Sequence, residues 1–255
     1  MKTEEILNHF EHQAKVGKWD SLYDPKNPES FSFIVRLQKT LNLLKDVNNK
    51  KICDLGCGTG ILIPYILEKK CKYTGIDFSK EMLEKIKSKY PQEILNGQVN
   101  LLLSDFRNIN ETNEFDVFVG LGFIEYFDNP KEIISKLYNM MPKDGTLILS
   151  FPNINSFDFM MIRFLTILRI IVKKIFKVGK PNAPRKMWSK KEACKILKET
   201  GFKDFQIKNY EINIFVYPFT VFFPRIATFI TKKLEYTWVE KINFFARGFL
   251  ISTKK

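Results

Sequence analysis

Asp54-Leu55-Gly56-Cys57-Gly58-Thr59-Gly60 follows the apolar pair Ile52-Cys53 and leads into a helix-like run from Ile61 to Lys69. A strand, a glycine turn and a helix are thereby joined. Glycines at 56, 58 and 60 permit φ > 0 and let a ligand approach the main chain closely. The helix N-terminus beyond them would offer free N–H groups to an anionic part of that ligand. The spacing is G-x-G-x-G, not the G-x-G-x-x-G of dinucleotide folds. No Gly-Lys-Ser/Thr of a phosphate loop follows. A carboxylate at the strand end, Asp54, would repel a pyrophosphate but suits a ligand carrying an ammonium and a sulfonium.

Three further strand ends line up behind the first. Thr74-Gly75-Ile76-Asp77 closes a second strand, and Asp77 lies 17 residues past Gly60, close to the roughly 20 expected of a carboxylate that grips ribose hydroxyls. Val99 to Leu103 ends in Ser104-Asp105-Phe106, a carboxylate and a ring able to bracket an adenine. Phe115 to Val119 ends in Gly120-Leu121-Gly122-Phe123. Open α/β sheets bind ligands at the carboxyl edge of their strands, and all four ends would share that edge.

The order of these segments resembles the class I S-adenosylmethionine-dependent methyltransferases, over roughly residues 30 to 210 plus a final strand near the C-terminus. Asp54 to Gly60 is similar to that family's first motif, Asp77 to its ribose-binding acid and Asp105-Phe106 to its adenine-side motif. Phe115-Asp116-Val117 through Phe127-Asp128-Asn129-Pro130 resembles the fourth-strand region. Met141-Pro142-Lys143-Asp144-Gly145-Thr146-Leu147 resembles the turn into the fifth strand. The resemblance implies a doubly wound α/β fold with a seven-stranded, mostly parallel sheet, an N-terminal helical lid and S-adenosylmethionine as cofactor. It places Asp54, Gly56, Cys57, Gly58, Gly60, Asp77, Phe78, Met82, Asp105, Phe106, Gly120 and Leu121 around that cofactor.

The expected elements are helices over 2–15 and 31–45, then strand 51–54, helix 60–69, strand 72–76, helix 79–89, strand 99–103, strand 115–120, helix 130–140 and strand 145–151. Ser189-Lys190-Lys191-Glu192 is a capping-box pattern opening a helix that Gly201 ends. Strand 203–210 and its antiparallel partner, 246–253, complete the sheet. The whole chain, 1–255, reads as one domain. Residues 1–48 form the lid, 49–153 the cofactor-binding core, 154–188 an amphipathic insertion, and 189–255 a C-terminal helix and hairpin with an apolar insertion at 212–245.

Charge separates these parts. Residues 1–153 carry 20 Lys and Arg against 21 Asp and Glu, whereas 154–255 carry 21 against 7. The whole excess behind the net +13 sits in the C-terminal part. That asymmetry points to an anionic partner, a membrane surface or a nucleic acid. From Phe157 to Val178, five cations (Arg163, Arg169, Lys173, Lys174 and Lys177) fall within about 140° of a helical wheel, opposite Phe164, Leu165, Leu168 and their neighbours. This is the pattern of a helix lying in a membrane interface. A helix covering the sheet or a substrate pocket fits it as well. From Asn213 to Thr231 the only charge is Arg225, and prolines 218 and 224 divide the run, which excludes a continuous membrane span. So apolar an insertion must bury itself in protein, a partner, a lipid-like substrate or a membrane.

The chain opens polar and acidic, Met1-Lys2-Thr3-Glu4-Glu5, with no apolar segment of a secretory signal behind it. Cysteines 53, 57, 71 and 194 show neither a C-x-x-C pair nor zinc spacing. The expectation is a metal-free cytoplasmic protein with reduced thiols, peripheral to a membrane.

Methyl transfer from a sulfonium is an in-line displacement with a good neutral leaving group. The protein mostly supplies proximity, alignment and desolvation. An oxygen or nitrogen nucleophile can call on a general base. The candidates are His9, His12, Tyr23 and Glu125, each of which also has a purely structural reading. Glu125 stands where the family often carries a histidine. No Asn-Pro-Pro-aromatic sequence occurs, which argues against methylation of exocyclic base amines. The expected acceptor is hydrophobic or lipid-linked. RNA, and a small molecule beneath the insertions, are the alternatives. A pocket is expected between Trp19 or Tyr23, Phe123, and residues of 157–170 or 213–225.

Overall fold

The computed structural model describes the chain except residues 1–2, 25, 28–29, 111–113, 165–184 and 216–218. Seven strands form one sheet: β1 Lys51–Leu55, β2 Lys72–Asp77, β3 Val99–Leu103, β4 Val117–Gly120, β5 Thr146–Pro152, β6 Lys203–Ile212 and β7 Ala246–Lys254. Their order is β3-β2-β1-β4-β5-β7-β6. β1 to β5 run parallel, and β7 runs antiparallel between β5 and β6. The order reverses between β1 and β4, which opens the crevice where doubly wound sheets take their ligands.

Parallel strands covered on both faces need apolar residues at nearly every position. The strands here obey this with a period of two. Cys53, Leu55, Phe118, Leu147, Leu149 and Phe151 belong to one core cluster, while Ile52, Val117, Val119 and Ile148 belong to the other.

The helices are α1 Thr3–Lys15, α2 Lys18–Ser21, α3 Phe31–Leu43, α4 Ile63–Glu68, α5 Lys80–Lys89, α6 Pro91–Leu95, α7 Pro130–Met140, α8 Phe157–Phe164, α9 Lys190–Thr200, α10 Phe219–Phe222 and α11 Pro224–Leu234. The N-cap half of the capping pattern forms: Ser189 Oγ accepts from Glu192 N at 3.1 Å, while the Glu192 carboxylate pairs with Lys186 at 2.9 Å. Gly201 closes α9 at φ +112°, with Phe202 N donating to the Leu197 carbonyl, a Schellman-type ending.

One helix departs from expectation. α4 starts at Ile63 rather than near residue 60, because the left-handed turn runs on: Ile63 N donates to the Gly60 carbonyl. Pro64 then occupies the first turn and has no N–H to offer. The anion site expected at this helix N-terminus is therefore not formed there. Proline divides the apolar run as expected: α10 ends at Phe222, and α11, of 11 residues, begins at Pro224. Pro224 sits at its first turn, a position that tolerates proline. No helix among the described residues is long and apolar enough to cross a membrane. Of the five expected wheel cations, Arg163 lies in α8, whereas Arg169, Lys173, Lys174 and Lys177 lie outside the described residues.

Ion pairs, one partly exposed and one buried, fasten the two insertions to the sheet. Arg247 of β7 pairs with Asp158 of α8 at 2.6 Å and with Glu211 of β6 at 2.7 Å. Lys39 of α3 meets Glu235, just past α11, at 2.6 Å and donates to the Asn209 carbonyl, also at 2.6 Å. Glu235 Oε2 accepts from Ile212 N at 2.7 Å. Glu235 is fully buried and Lys39 nearly so. Removing one member of such a pair strands the other, whereas neutralising both does not. Lys39→Met should cost about 3–5 kcal/mol, and Lys39→Met with Glu235→Gln should recover most of it. Guanidinium denaturation of both variants checks this. Equal losses would mean that the pair's charges do not matter.

Candidate active site

A cavity of about 340 Å³ opens at the carboxyl edge, beneath α1, α2 and α3. That volume lies within the roughly 300–1,000 Å³ of small-molecule sites. Asp54, Gly56, Cys57, Gly58, Asp77, Phe78, Met82, Asp105, Phe106 and Leu121 line it, together with Tyr23 and Glu125. Gly60, Gly120, His9 and His12 do not line it among the described residues.

The centre is a pair of buried carboxylates on neighbouring strands. Asp54 is 3% exposed and Asp77 is 7% exposed. Tyr73 Oη donates to Asp54 Oδ2 at 2.8 Å. Asp54 pairs in register with Gly75, and Tyr73 sits one pleat back on β2. A Cβ on Gly75 would lie 2.9 Å from the Tyr73 ring and 2.8 Å from Cys57 Sγ. Gly75 thus leaves the space through which Tyr73 reaches Asp54. Asp77 Oδ2 accepts from Gly58 N at 2.8 Å and Oδ1 accepts from Ser79 N at 2.9 Å. One carboxylate thereby fixes both the glycine turn and the start of α5. Each of its oxygens keeps acceptor capacity for a ligand.

Burial sets the chemistry of both acids. It pushes Asp54 up to about 7; the Tyr73 hydrogen bond opposes the rise and the negative charge of Asp77 adds to it. Burial likewise pushes Asp77 up to about 6, against the backbone N–H groups of Ser79, Gly58 and Phe78. Two acids held in this way gain most from a ligand that brings positive charge.

The glycines divide by role. Gly56 (φ +64°) and Gly58 (φ +53°) take the left-handed conformation, and a Cβ on Gly58 would meet nothing within 4 Å. Bare main chain therefore faces open space. A Cβ on Gly60 would lie 2.6 Å from Ile63 Cδ1, and one on Gly120 2.8 Å from Leu149 Cδ2. Both glycines serve packing instead. On the third strand end, Phe106 is buried edge-on to Phe123, with ring centroids 5.6 Å apart. Asp105 accepts from the backbone N–H and guanidinium of Arg107. Burial would raise its pKa, but those bonds outweigh it and hold the carboxyl below the usual range.

Aromatic rings close the other end. Phe10 of α1 contacts Phe78, Trp19 and Tyr126, with centroids 5.3–6.2 Å apart. Trp19 and Tyr23 both meet Phe33. Among them lie Arg36, Glu125 and Arg185. Glu125 is 4% exposed. Burial raises its pKa, against the pull of its own backbone N–H, Arg36 and Arg185. Burial disfavours the charged form of Arg36, but Tyr23, Tyr210 and Glu125 outweigh it and leave its pKa above the ordinary value.

Part of the expected wall is not found. Among the described residues, the 154–188 insertion contributes Arg185 to the cavity and the 212–245 insertion contributes nothing. α8 lies against β7 and α11 against β6. Their ion pairs draw them along the antiparallel edge, away from the crevice. Neither histidine reaches the cavity; His9 stands edge-on to Phe10 instead. Among the described residues no group of His, Cys, Asp and Glu is placed to hold a metal ion. The sequence reading missed Arg36, Tyr73, Gly75, Tyr126 and Arg185.

A family model described as a methyltransferase domain matches residues 53–147. The chain is 30% identical over 165 residues to a ubiquinone biosynthesis O-methyltransferase of Glaesserella parasuis, covering 61% of this chain and 67% of that one. It is 27% identical over 100 residues to a phosphatidylethanolamine N-methyltransferase of Cereibacter sphaeroides, covering 39% and 49%. The chain spans about half the length of other curated relatives it matches. A solved magnesium protoporphyrin IX methyltransferase from Synechocystis, with S-adenosylhomocysteine bound, superposes with a TM-score of 0.63 at 17% identity, covering 99% of this chain and 98% of that one. The chain belongs to the class I S-adenosylmethionine-dependent methyltransferases. It is an enzyme of that class, and S-adenosylmethionine is its cofactor.

The two raised carboxyls carry a pH signature. Between the ordinary carboxylate range and about pH 7 the folded protein binds more protons than the unfolded chain. Its stability therefore falls as pH rises through that window. Asp54→Asn keeps an acceptor for Tyr73 and removes one titration. The Tm of the ligand-free wild type should fall more steeply than that of the variant between about pH 5 and pH 7.5. Scanning calorimetry across that range measures both slopes, and parallel slopes would contradict the burial of Asp54.

Proposed function

We propose that the protein transfers a methyl group to an oxygen or nitrogen of a hydrophobic, lipid-like acceptor that it meets at a membrane surface. The observation carrying this reading is the aromatic end of the cavity, walled by Phe10, Trp19, Tyr23, Phe33, Phe123 and Tyr126. S-adenosylmethionine supplies an electrophilic methyl on a sulfonium. In this reading Asp54 holds the ammonium end of the cofactor and Asp77 the ribose hydroxyls. The open main chain at Gly58 admits close approach, and Phe106 packs beside the adenine. Two buried acids, a bare glycine turn and a cavity of this size fit that group. α1 and α2 act as the lid that excludes water. Glu125 is the base candidate that lines the cavity beside Tyr23.

Exposed apolar surface supports membrane contact. Phe222, Ile226, Phe229 and Trp238 are 51–72% exposed, beside the exposed cations Arg225, Lys232 and Lys233. At the end of α8, Phe164 is 82% exposed. The relatives named for a phosphatidylethanolamine and a ubiquinone precursor point the same way. The rival, an RNA acceptor, would want cations lining the cavity. Its walls carry Asp54, Asp77, Asp105, Glu125, Asp128 and Glu132 against Arg36, Arg107 and Arg185.

Two measurements test the reading. Asp77→Ala removes an acceptor from buried hydroxyls and should weaken S-adenosylmethionine binding by on the order of 1.5–3 kcal/mol. Calorimetry gives the affinity, and no change would remove Asp77 from the cofactor site. In flotation with anionic vesicles at low salt the wild type should rise with the lipid. Arg225, Lys232 and Lys233 changed together to Glu should release it, each cation being worth about 1 kcal/mol near such a surface. Wild-type protein left in the soluble fraction would refute the membrane reading.

A further inference from the structure

We propose that Arg36 and Glu125, converging over Gly122, form a head-group subsite that selects an acceptor carrying a hydroxyl beside a planar oxyanion. This rests on the reading of the cavity as the methyl-transfer site and narrows the acceptor to an amphipathic class: an apolar body with a polar, acidic head.

The first observation is a matched pair of unused polar atoms. Arg36 Nε and Glu125 Oε2 are both buried without a hydrogen-bond partner among the described residues, with Trp19 Nε1 a further unpartnered donor in the same lining. Native structures rarely leave such atoms orphaned, and a ligand is one way to satisfy them. Of the pair, one is a donor on a guanidinium and the other an acceptor on a carboxyl group. A ligand answering both must offer an acceptor to the first and a donor to the second.

The second observation is convergence. Gly122 takes φ +72°, and a Cβ there would lie 3.3 Å from Arg36 Nη1 and 3.8 Å from Glu125 Oε1. The two side chains therefore approach the same glycine from two elements, α3 and the short turn Ile124–Tyr126 after β4. The backbone at Gly122 and Glu125 is held from behind. Gly122 N donates to Ser150 Oγ at 2.8 Å, and the Glu125 carbonyl accepts from Lys186 N at 2.8 Å. The Arg36 guanidinium lies 5.1 Å from the Phe33 ring centroid, which orients its plane.

The third observation is charge. Arg185 joins Arg36 in the lining beside Glu125. Two guanidiniums against one carboxyl leave this end of the cavity cationic, while the strand-end side holds Asp54 and Asp77. An arginine fork fits a planar oxyanion through paired N–H donors, which a lysine cannot reproduce. The hydroxyl donates to Glu125 Oε2, and the rings of Trp19, Phe33 and Tyr126 take a flat apolar body. A plain alcohol offers Arg36 one lone pair and leaves its paired donors half answered, and a plain carboxylate would leave Glu125 facing another acceptor.

The test uses three small probes: phenol, benzoate and 2-hydroxybenzoate. Each is titrated calorimetrically into the full-length protein saturated with S-adenosylhomocysteine. 2-Hydroxybenzoate should bind at least about ten-fold more tightly than either single-function probe. Arg36→Gln should reduce it to the affinity of phenol, and Glu125→Gln to that of benzoate. Arg36→Lys keeps the cation without the fork and should lose most of the preference while folding as the wild type does. Retained affinity for S-adenosylhomocysteine certifies each variant as folded. Equal binding of the three probes, or a preference that survives Arg36→Gln and Arg36→Lys, overturns the subsite. A wild type that fails to bind S-adenosylhomocysteine at all overturns the underlying site reading instead.

Discussion

Two carboxylates buried side by side at the ends of β1 and β2 are the constraint around which this molecule is arranged. Burying a charge is costly unless it is paired or hydrogen-bonded. The surrounding sequence answers that cost piece by piece. Tyr73 donates to Asp54, and Gly75 leaves room for the Tyr73 ring. Gly58 and Ser79 donate to Asp77, which shapes the glycine turn and starts α5. What these partners leave over is a negative potential in the crevice. A sulfonium and an ammonium complement it, and a pyrophosphate would not. The same balance explains why a glycine turn without a phosphate loop follows Asp54.

Most of the sheet was legible because its signals are local. Apolar runs of strand length, acidic residues at their ends and caps such as Ser189 and Gly201 are decided within a few residues of chain. The strand-end acids of the cavity were legible for the same reason. Tyr73 and Gly75 were not, because their meaning lies in the cross-strand register that sets Asp54 beside Gly75. Arg36 and Arg185 were missed because α3 and the 185–188 segment reach the cavity through tertiary placement alone. Gly60 and Gly120 show the opposite error. The motif assigns them to a ligand, whereas their missing Cβ atoms make way for Ile63 and Leu149. A glycine motif marks where the chain needs space without saying whether ligand or core fills it.

The insertions illustrate how a few buried charges overrule composition. Read as a string, 212–245 is greasy enough to seek any apolar surface, including the cavity. In the fold, Glu235 is drawn to Lys39 and to the Ile212 amide, and Asp158 is drawn to Arg247. These pairs hold α11 against β6 and α8 beside β7. Phe222, Phe229 and Trp238 are left more than half exposed. Hydrophobicity set how much surface the insertion offers, and the ion pairs set where that surface faces.

α3 joins these two regions. Its Lys39 belongs to the buried network beneath α11, and its Arg36 and Phe33 belong to the cavity. Ser32, on the same helix, donates to Glu211, which also pairs with Arg247. Among its described residues the 212–245 insertion therefore contributes to the cavity without lining it, by fixing the helix that carries Arg36. The distinction matters because a wall residue acts through its own contacts, whereas an anchor acts through the position of everything mounted on the element it holds. A guanidinium that must meet a planar oxyanion tolerates little misalignment. A helix clamped at both Ser32 and Lys39 supplies the rigidity that this geometry requires.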